Sequence, residues 1–94
     1  MTSSATRFER GSLRGVVEVD TTSDSECAAT GRLDGAALAG CKVEAVFTSR
    51  RRLRGLAELS VGGAFEVLGL PGDVDEMWLF WSGECLRVPL TRGN

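Results

Sequence analysis

From Phe8 onward the apolar residues of this chain recur at every second position, in short runs interrupted by Gly, Asp, Ser or Pro. Side chains of an extended backbone point alternately to opposite faces, so a period of two marks strands where a period of 3.6 would mark helices. Residues 13–20 read as a first strand, with Leu13, Gly15, Val17 and Val19 on one face and Arg14, Val16 and Glu18 on the other. A polar loop over 21–26 leads to a second strand over 27–33, and Asp34-Gly35 supplies the positive φ of a tight turn. Residues 36–40 allow one helical turn, too short to stand as a helix alone. The clearest alternation is over 42–49, where Val43, Ala45 and Phe47 share one face while Val46 breaks the polarity of the other. Residues 53–61 place Leu53, Gly55, Ala57, Leu59 and Val61 opposite Arg54, Leu56, Glu58 and Ser60. Gly62-Gly63 then predicts an antiparallel hairpin into 64–68. Beyond Gly69-Leu70-Pro71-Gly72 and an acidic loop over 73–76, strands are expected over 77–82 and 85–91, the last an edge because it carries Pro89. Residues 1–7 are small and polar and read as a disordered tail, leaving one domain over 8–94.

Two segments resemble a known family. Gly63-Ala64-Phe65-Glu66-Val67-Leu68-Gly69-Leu70-Pro71-Gly72 looks like the Gly-x-Phe-x-aliphatic-x-Gly-Leu-Pro-Gly stretch of carboxypeptidase regulatory-like domains, which are transthyretin-like β-sandwiches. Upstream, Gly31-Arg32-Leu33 followed by Gly35-Ala36-Ala37-Leu38-Ala39-Gly40-Cys41-Lys42-Val43-Glu44-Ala45 resembles that family's opening. The resemblance implies a structural or accessory module working beside other proteins, and carries over no catalytic residue. The residues support the same outline: a phenylalanine two positions past a hairpin glycine fills the space between two sheets, and proline's fixed φ suits the following bend. The expected fold is therefore all-β, a single immunoglobulin-like or transthyretin-like antiparallel sandwich of about seven strands, with a small closed barrel as the alternative. Its expected core is Val17, Val19, Val43, Phe47, Leu59, Phe65, Val67, Leu79 and Val88.

Composition narrows the chemistry. The 94 residues contain no histidine and no tyrosine, which excludes imidazole bases, histidine metal ligation and phenolic acids. Cys27, Cys41 and Cys85 are too widely spaced for a Cys-x-x-Cys knuckle, so neither a metal site nor a cofactor is expected. An odd cysteine count and the lack of a charged-then-apolar leader over residues 1–10 predict free thiols and a cytoplasmic setting, with a Cys27–Cys41 bridge as the alternative. No apolar run reaches the roughly 18 to 20 residues of a membrane span. A net charge of -2 disfavours a dedicated nucleic-acid partner. Ten of the eleven basic residues are arginine, Lys42 being the exception, which fits a GC-rich bacterial coding bias.

Four features carry candidate chemistry. Arg50, Arg51, Arg52 and Arg54 either form a solvated hairpin loop or grip a phosphate or an acidic partner through bidentate guanidinium contacts, with Arg14, Arg32 or Arg87 nearby. Met77-Trp78-Leu79-Phe80-Trp81 is apolar on both faces. That strand is either central and covered on both sides, or it exposes Trp78 and Phe80, alternatively Met77 and Trp81, as a binding patch. Asp73, Asp75 and Glu76, with Asp34 or Asp24, lack calcium-loop spacing and read as a solvated turn. Cys85, beside Glu84 and Arg87, reads as a core cysteine in a chain with no histidine base. The function expected is a non-catalytic interaction module that binds a protein, or a second copy as a homodimer, through Trp78, Phe80, Trp81 and a sheet edge. The alternative is an oligonucleotide-binding barrel with Arg50, Arg51, Arg52 and Arg54 on phosphates and Phe47, Phe80 or Trp78 stacking on bases.

Overall fold

A computed structural model describes residues 4–91 of the chain. The period-two pattern yields eight strands: β1 Ser4–Arg10, β2 Leu13–Thr21, β3 Glu26–Asp34, β4 Lys42–Ser49, β5 Arg52–Ser60, β6 Gly63–Pro71, β7 Glu76–Trp81 and β8 Glu84–Pro89. One 3-10 turn, Ala36–Leu38, lies between β3 and β4. The strands form two four-stranded antiparallel sheets, in the orders β1-β2-β3-β6 and β5-β4-β7-β8. The molecule is an all-β sandwich; its two sheets have free edges, so the closed-barrel alternative falls.

The strand beyond the expected seven is β1. Residues 4–7, read from sequence as tail, pair with residues 16–19 of β2, while residues 1–3 of the expected tail lie outside the described residues. What ties this polar stretch down is Phe8, which sits opposite Gly15. A Cβ on Gly15 would come within 2.7 Å of the Phe8 ring. A bare glycine thus makes room for an aromatic side chain from the neighbouring strand. Arg10 Nε bonds Glu84 Oε1 at 3.2 Å, linking the β1 edge to β8 of the other sheet.

The hairpin expected across Gly62-Gly63 is replaced by a crossing between sheets. Val61 continues the β5 ladder by exchanging backbone bonds with its neighbours: its N–H donates to Cys41 O at 3.0 Å and its carbonyl accepts from Gly40 N at 3.1 Å. One residue later Gly62, at φ +98°, donates its N–H to Leu33 O at 2.7 Å and so enters the sheet containing β3. Only glycine adopts such a φ without strain. β6 consequently pairs with β3 and not with β5.

Two bulges adjust the alternation. On β6 two residues, Leu68 and Gly69, stand opposite Ala28 alone, and Gly69 takes φ +72°. On β5 the extra residue is Arg54: Phe47 pairs with Gly55 but Thr48 with Leu53. This shift turns Leu53, expected on the core face, outward to 61% exposure.

The space between the sheets is filled by Leu13, Val17, Val19 and Leu33 from one and Val43, Phe47, Leu59, Met77, Leu79, Trp81 and Val88 from the other. Seven of the nine expected core residues are buried: Val17, Val19, Val43, Phe47, Leu59, Leu79 and Val88. Phe65 and Val67 are corrected to half-buried side chains packed against the core, because β6 is an edge strand. Cys27 is buried and donates to Pro71 O at 3.4 Å, whereas Cys41 and Cys85 are exposed thiols. The core position expected for Cys85 is thus overturned: β8 is an edge, and this residue shares the outward register of Phe80.

Candidate functional site

β7 owes its place to pairing on both sides, with β4 and with β8. Strict alternation then divides its five large apolar residues. Met77, Leu79 and Trp81 face the core, and Trp78 and Phe80 face outward. Trp81, expected among the partner-binding candidates, is therefore a core side chain at 7% exposure. Among the described residues no second layer covers the outer face, and Phe80 is 41% exposed.

Register brings further residues onto the same face. Leu56 of β5, Val46 of β4 and Trp78 of β7 stand side by side in one row across the strands. Glu58, Glu44 and Phe80 form the next row. Leu56, at 67% exposure, and the bulge-turned Leu53 extend the apolar surface toward the β5 edge. Val46, Leu53 and Leu56 were not singled out as site residues from sequence. The available signal was the polarity break at Val46, which acquires meaning only once Leu56 and Trp78 are known to flank it.

Trp78 is held in position by a polar network at one end of this face. Its indole Nε1 donates to Glu76 Oε1 at 3.3 Å, and the Thr48 hydroxyl donates to the same oxygen at 3.3 Å. Glu76 Oε2 accepts from Arg87 Nε. The Arg87 hydrogen bond, then its charge, and after it the bonds from Trp78 and Thr48, hold the Glu76 carboxyl below its ordinary pKa despite partial burial. Only 12% of the Glu76 side chain is exposed, so the carboxylate is a fixed anchor beneath the indole and guanidinium.

The arginine run lies at the far end of the β4–β5 hairpin. Arg50 and Arg51 are the two turn residues, at φ 51° and 67°, the left-handed region that such a two-residue turn demands. Arg50 N–H donates to Asp75 Oδ2 at 3.2 Å, and Arg54 pairs with Asp73 at 3.3 Å. The Ser49 hydroxyl, and beyond it Arg54, hold the Asp73 carboxyl below its usual pKa. A recess at this end is lined by Ser49, Arg50, Arg52, Arg54, Asp73 and Asp75. The acidic loop thus serves as counter-charge to the arginine turn, and Glu76 is engaged with Arg87 instead. Neither Arg14 nor Arg32, on the other sheet, lines the recess. Among the described residues, the side chains of Arg50, Arg51 and Arg52 form no ion pair.

Of the three aromatic residues expected to stack on bases, Phe47 is fully buried, whereas Trp78 and Phe80 face outward beside Val46 and Glu44 of β4. Among the described residues no three His, Cys, Asp or Glu side chains converge in a cation-binding geometry, and no helix is long and apolar enough to cross a membrane.

The outer surface of the opposite sheet contrasts with the apolar face. Arg7, Arg14, Arg32 and Glu66, together with Glu9, occupy its outward positions and are exposed. No family model, no curated protein and no solved structure matches the chain.

Proposed function

We propose that this chain is a non-catalytic interaction module that presents the outer face of the β5-β4-β7-β8 sheet to a protein partner. The observation carrying this reading is that the outer face of this sheet holds Leu53, Leu56, Val46, Trp78 and Phe80 in adjoining positions, bordered by Lys42, Glu44, Glu58 and Arg87, whereas on the other sheet the exposed large apolar residue is Leu68 at the β6 bulge. Aromatic residues in an apolar patch with polar surroundings are the usual anchors of protein interfaces. Trp78 is pre-positioned by Glu76, so little side-chain freedom is lost when it is covered. The resemblance of the 63–72 segment to carboxypeptidase regulatory-like domains agrees with an accessory role. The exposed thiols of Cys41 and Cys85 fit a reducing, cytoplasmic setting.

The reading is tested by placing a photo-crosslinking residue at Phe80 and, separately, at Arg7 on the charged sheet, in cells making the full chain. Position 80 is expected to give a discrete protein adduct that position 7 does not. No adduct at position 80, or the same adducts at both, would refute the outer face as the binding surface.

A further inference from the structure

Five basic side chains are matched by carboxylates: Arg10 by Glu84, Arg32 by Asp34, Lys42 by Glu58, Arg54 by Asp73 and Arg87 by Glu76. Arg50, Arg51 and Arg52, by contrast, are consecutive, exposed and outside every ion pair among the described residues. We infer that this turn takes the carboxylates of an acidic segment of the same protein partner that covers the outer face, with apolar residues of that segment lying on Leu53 and Leu56. The partner's chemistry is thereby named, on the premise that the outer face is the binding surface.

The turn is held from beneath by the acidic loop. Asp75 Oδ2 accepts from Arg50 N–H at 3.2 Å, and Asp75 N–H donates to Thr48 O at 2.9 Å. One loop carboxylate is thus engaged with backbone and the other, Asp73, with Arg54, which leaves three guanidinium groups for a ligand. The backbone here also runs against its sequence. A two-residue turn at φ 51° and 67° suits Asn-Gly, and two arginines occupy it under strain. Strain kept where a relaxed sequence exists points to side chains retained for what they bind.

Continuity and charge select the occupant. Leu53 follows the turn directly and, by virtue of the bulge at Arg54, lies on the outer face in the row next to Leu56, Val46 and Trp78. The far end of the face has the opposite sign: Glu58 and Glu44 are exposed in the row of Phe80, and Lys42 answers Glu58 at 3.9 Å. The surface is therefore graded, cationic at the turn, apolar across the middle and acidic beside Phe80. A nucleic-acid strand reaching from the turn to both aromatics would bring phosphates against Glu44 and Glu58, whereas a peptide can carry its carboxylates at one end only. Arg50 and Arg52 line the recess at the tip and Arg51 does not, so the three charges are spread and suit successive carboxylates better than a single phosphate.

Heteronuclear NMR of the isotope-labelled full chain tests this with three probes: a peptide of glutamates followed by alternating leucine and glycine, its counterpart with glutamines, and oligothymidylate. The glutamate peptide is expected to move the amide signals of residues 50–53 and the Trp78 indole signal, and to bind about tenfold tighter than the glutamine peptide at low salt, the difference closing as salt is raised. Arg50→Gln, Arg51→Gln and Arg52→Gln together should abolish that preference, with circular dichroism verifying the fold. Arg50→Asn with Arg51→Gly, which relaxes the turn, should lose part of the preference without loss of stability. No movement at residues 50–53, a preference that survives the triple change, or tighter binding of oligothymidylate to the same signals would overturn the proposal. Crosslinking from position 80 separates its failure from that of the outer face. An adduct undiminished by the triple change leaves the outer face standing and removes the arginine turn, whereas no adduct in the otherwise wild-type chain removes the outer face and the shared partner with it.

Discussion

Replacing Arg50→Asn together with Arg51→Gly should stabilise the protein. Both arginines occupy the left-handed region, at φ 51° and 67°. A side chain with a Cβ costs roughly 1 to 2 kcal/mol there, while Asn-Gly suits such a turn. Glycine's added freedom in the unfolded chain takes back about 0.4 to 1 kcal/mol. Neither guanidinium has an ion-pair partner among the described residues, and the bond from Arg50 N–H to Asp75 belongs to the backbone, so no side-chain contact is forfeited. The net gain is about 1 to 2 kcal/mol, which for a domain of this size raises the melting temperature by about 5 to 10 °C. Thermal and urea unfolding followed by circular dichroism measures it. Arg50→Ala with Arg51→Ala is the control, because it removes the same charges while keeping the strained backbone. If Asn-Gly is no more stable than Ala-Ala, the strain attributed to the turn is absent and the reasoning fails.

Two further outcomes follow from the geometry. Gly31→Ala should cost about 2 to 3 kcal/mol, because the new Cβ would lie 2.1 Å from the Val16 carbonyl oxygen and 2.8 Å from the Phe65 ring, whereas Gly63→Ala meets nothing within 4 Å and should be near neutral; equal urea midpoints for the two would refute the close approach. Glu76 is held below its ordinary pKa of 4.5, so its ionised form stabilises the fold at pH values above 4.5 and that contribution is lost as pH falls through the lowered value. Glu76→Gln should therefore flatten the acid side of the stability profile and uncouple Trp78 fluorescence from acidification, and a variant with an unchanged acid profile would show that the Arg87 bond does not set it.

Local pattern and turn chemistry made most of the architecture readable. β4 coincides with its expected bounds, and the inward faces of β2 and β4 follow from alternation alone. What failed depended on partners distant in sequence. β1 was missed because its short polar residues gain order only through β2 and through the space Gly15 leaves for Phe8. Gly62-Gly63 has hairpin chemistry, yet the backbone bonds of Val61 and Gly62 point to different sheets, and no local signal distinguishes a reversal from a crossing. At the candidate face, the five-residue apolar run of β7 was legible but its two sides were not, since alternation says which residues share a face and not which face is buried. Leu53 escaped because a bulge at Arg54 reverses its side, and bulges leave no mark in an apolar-polar count.

The crossing at Val61–Gly62 has a consequence for how the molecule assembles. The β4–β5 hairpin of one sheet lies within the stretch of chain that closes the β3–β6 pair of the other. Conversely, β6 lies within the stretch that closes β4 onto β7. Each sheet is thus completed only around a piece of its counterpart, and the two long-range closures share one entropic cost. The two halves of the sandwich are links of one chain and not stacked plates: neither can come away while the other persists. Loss of order should then be all-or-none, and its refolding paced by these distant pairings more than by any hairpin.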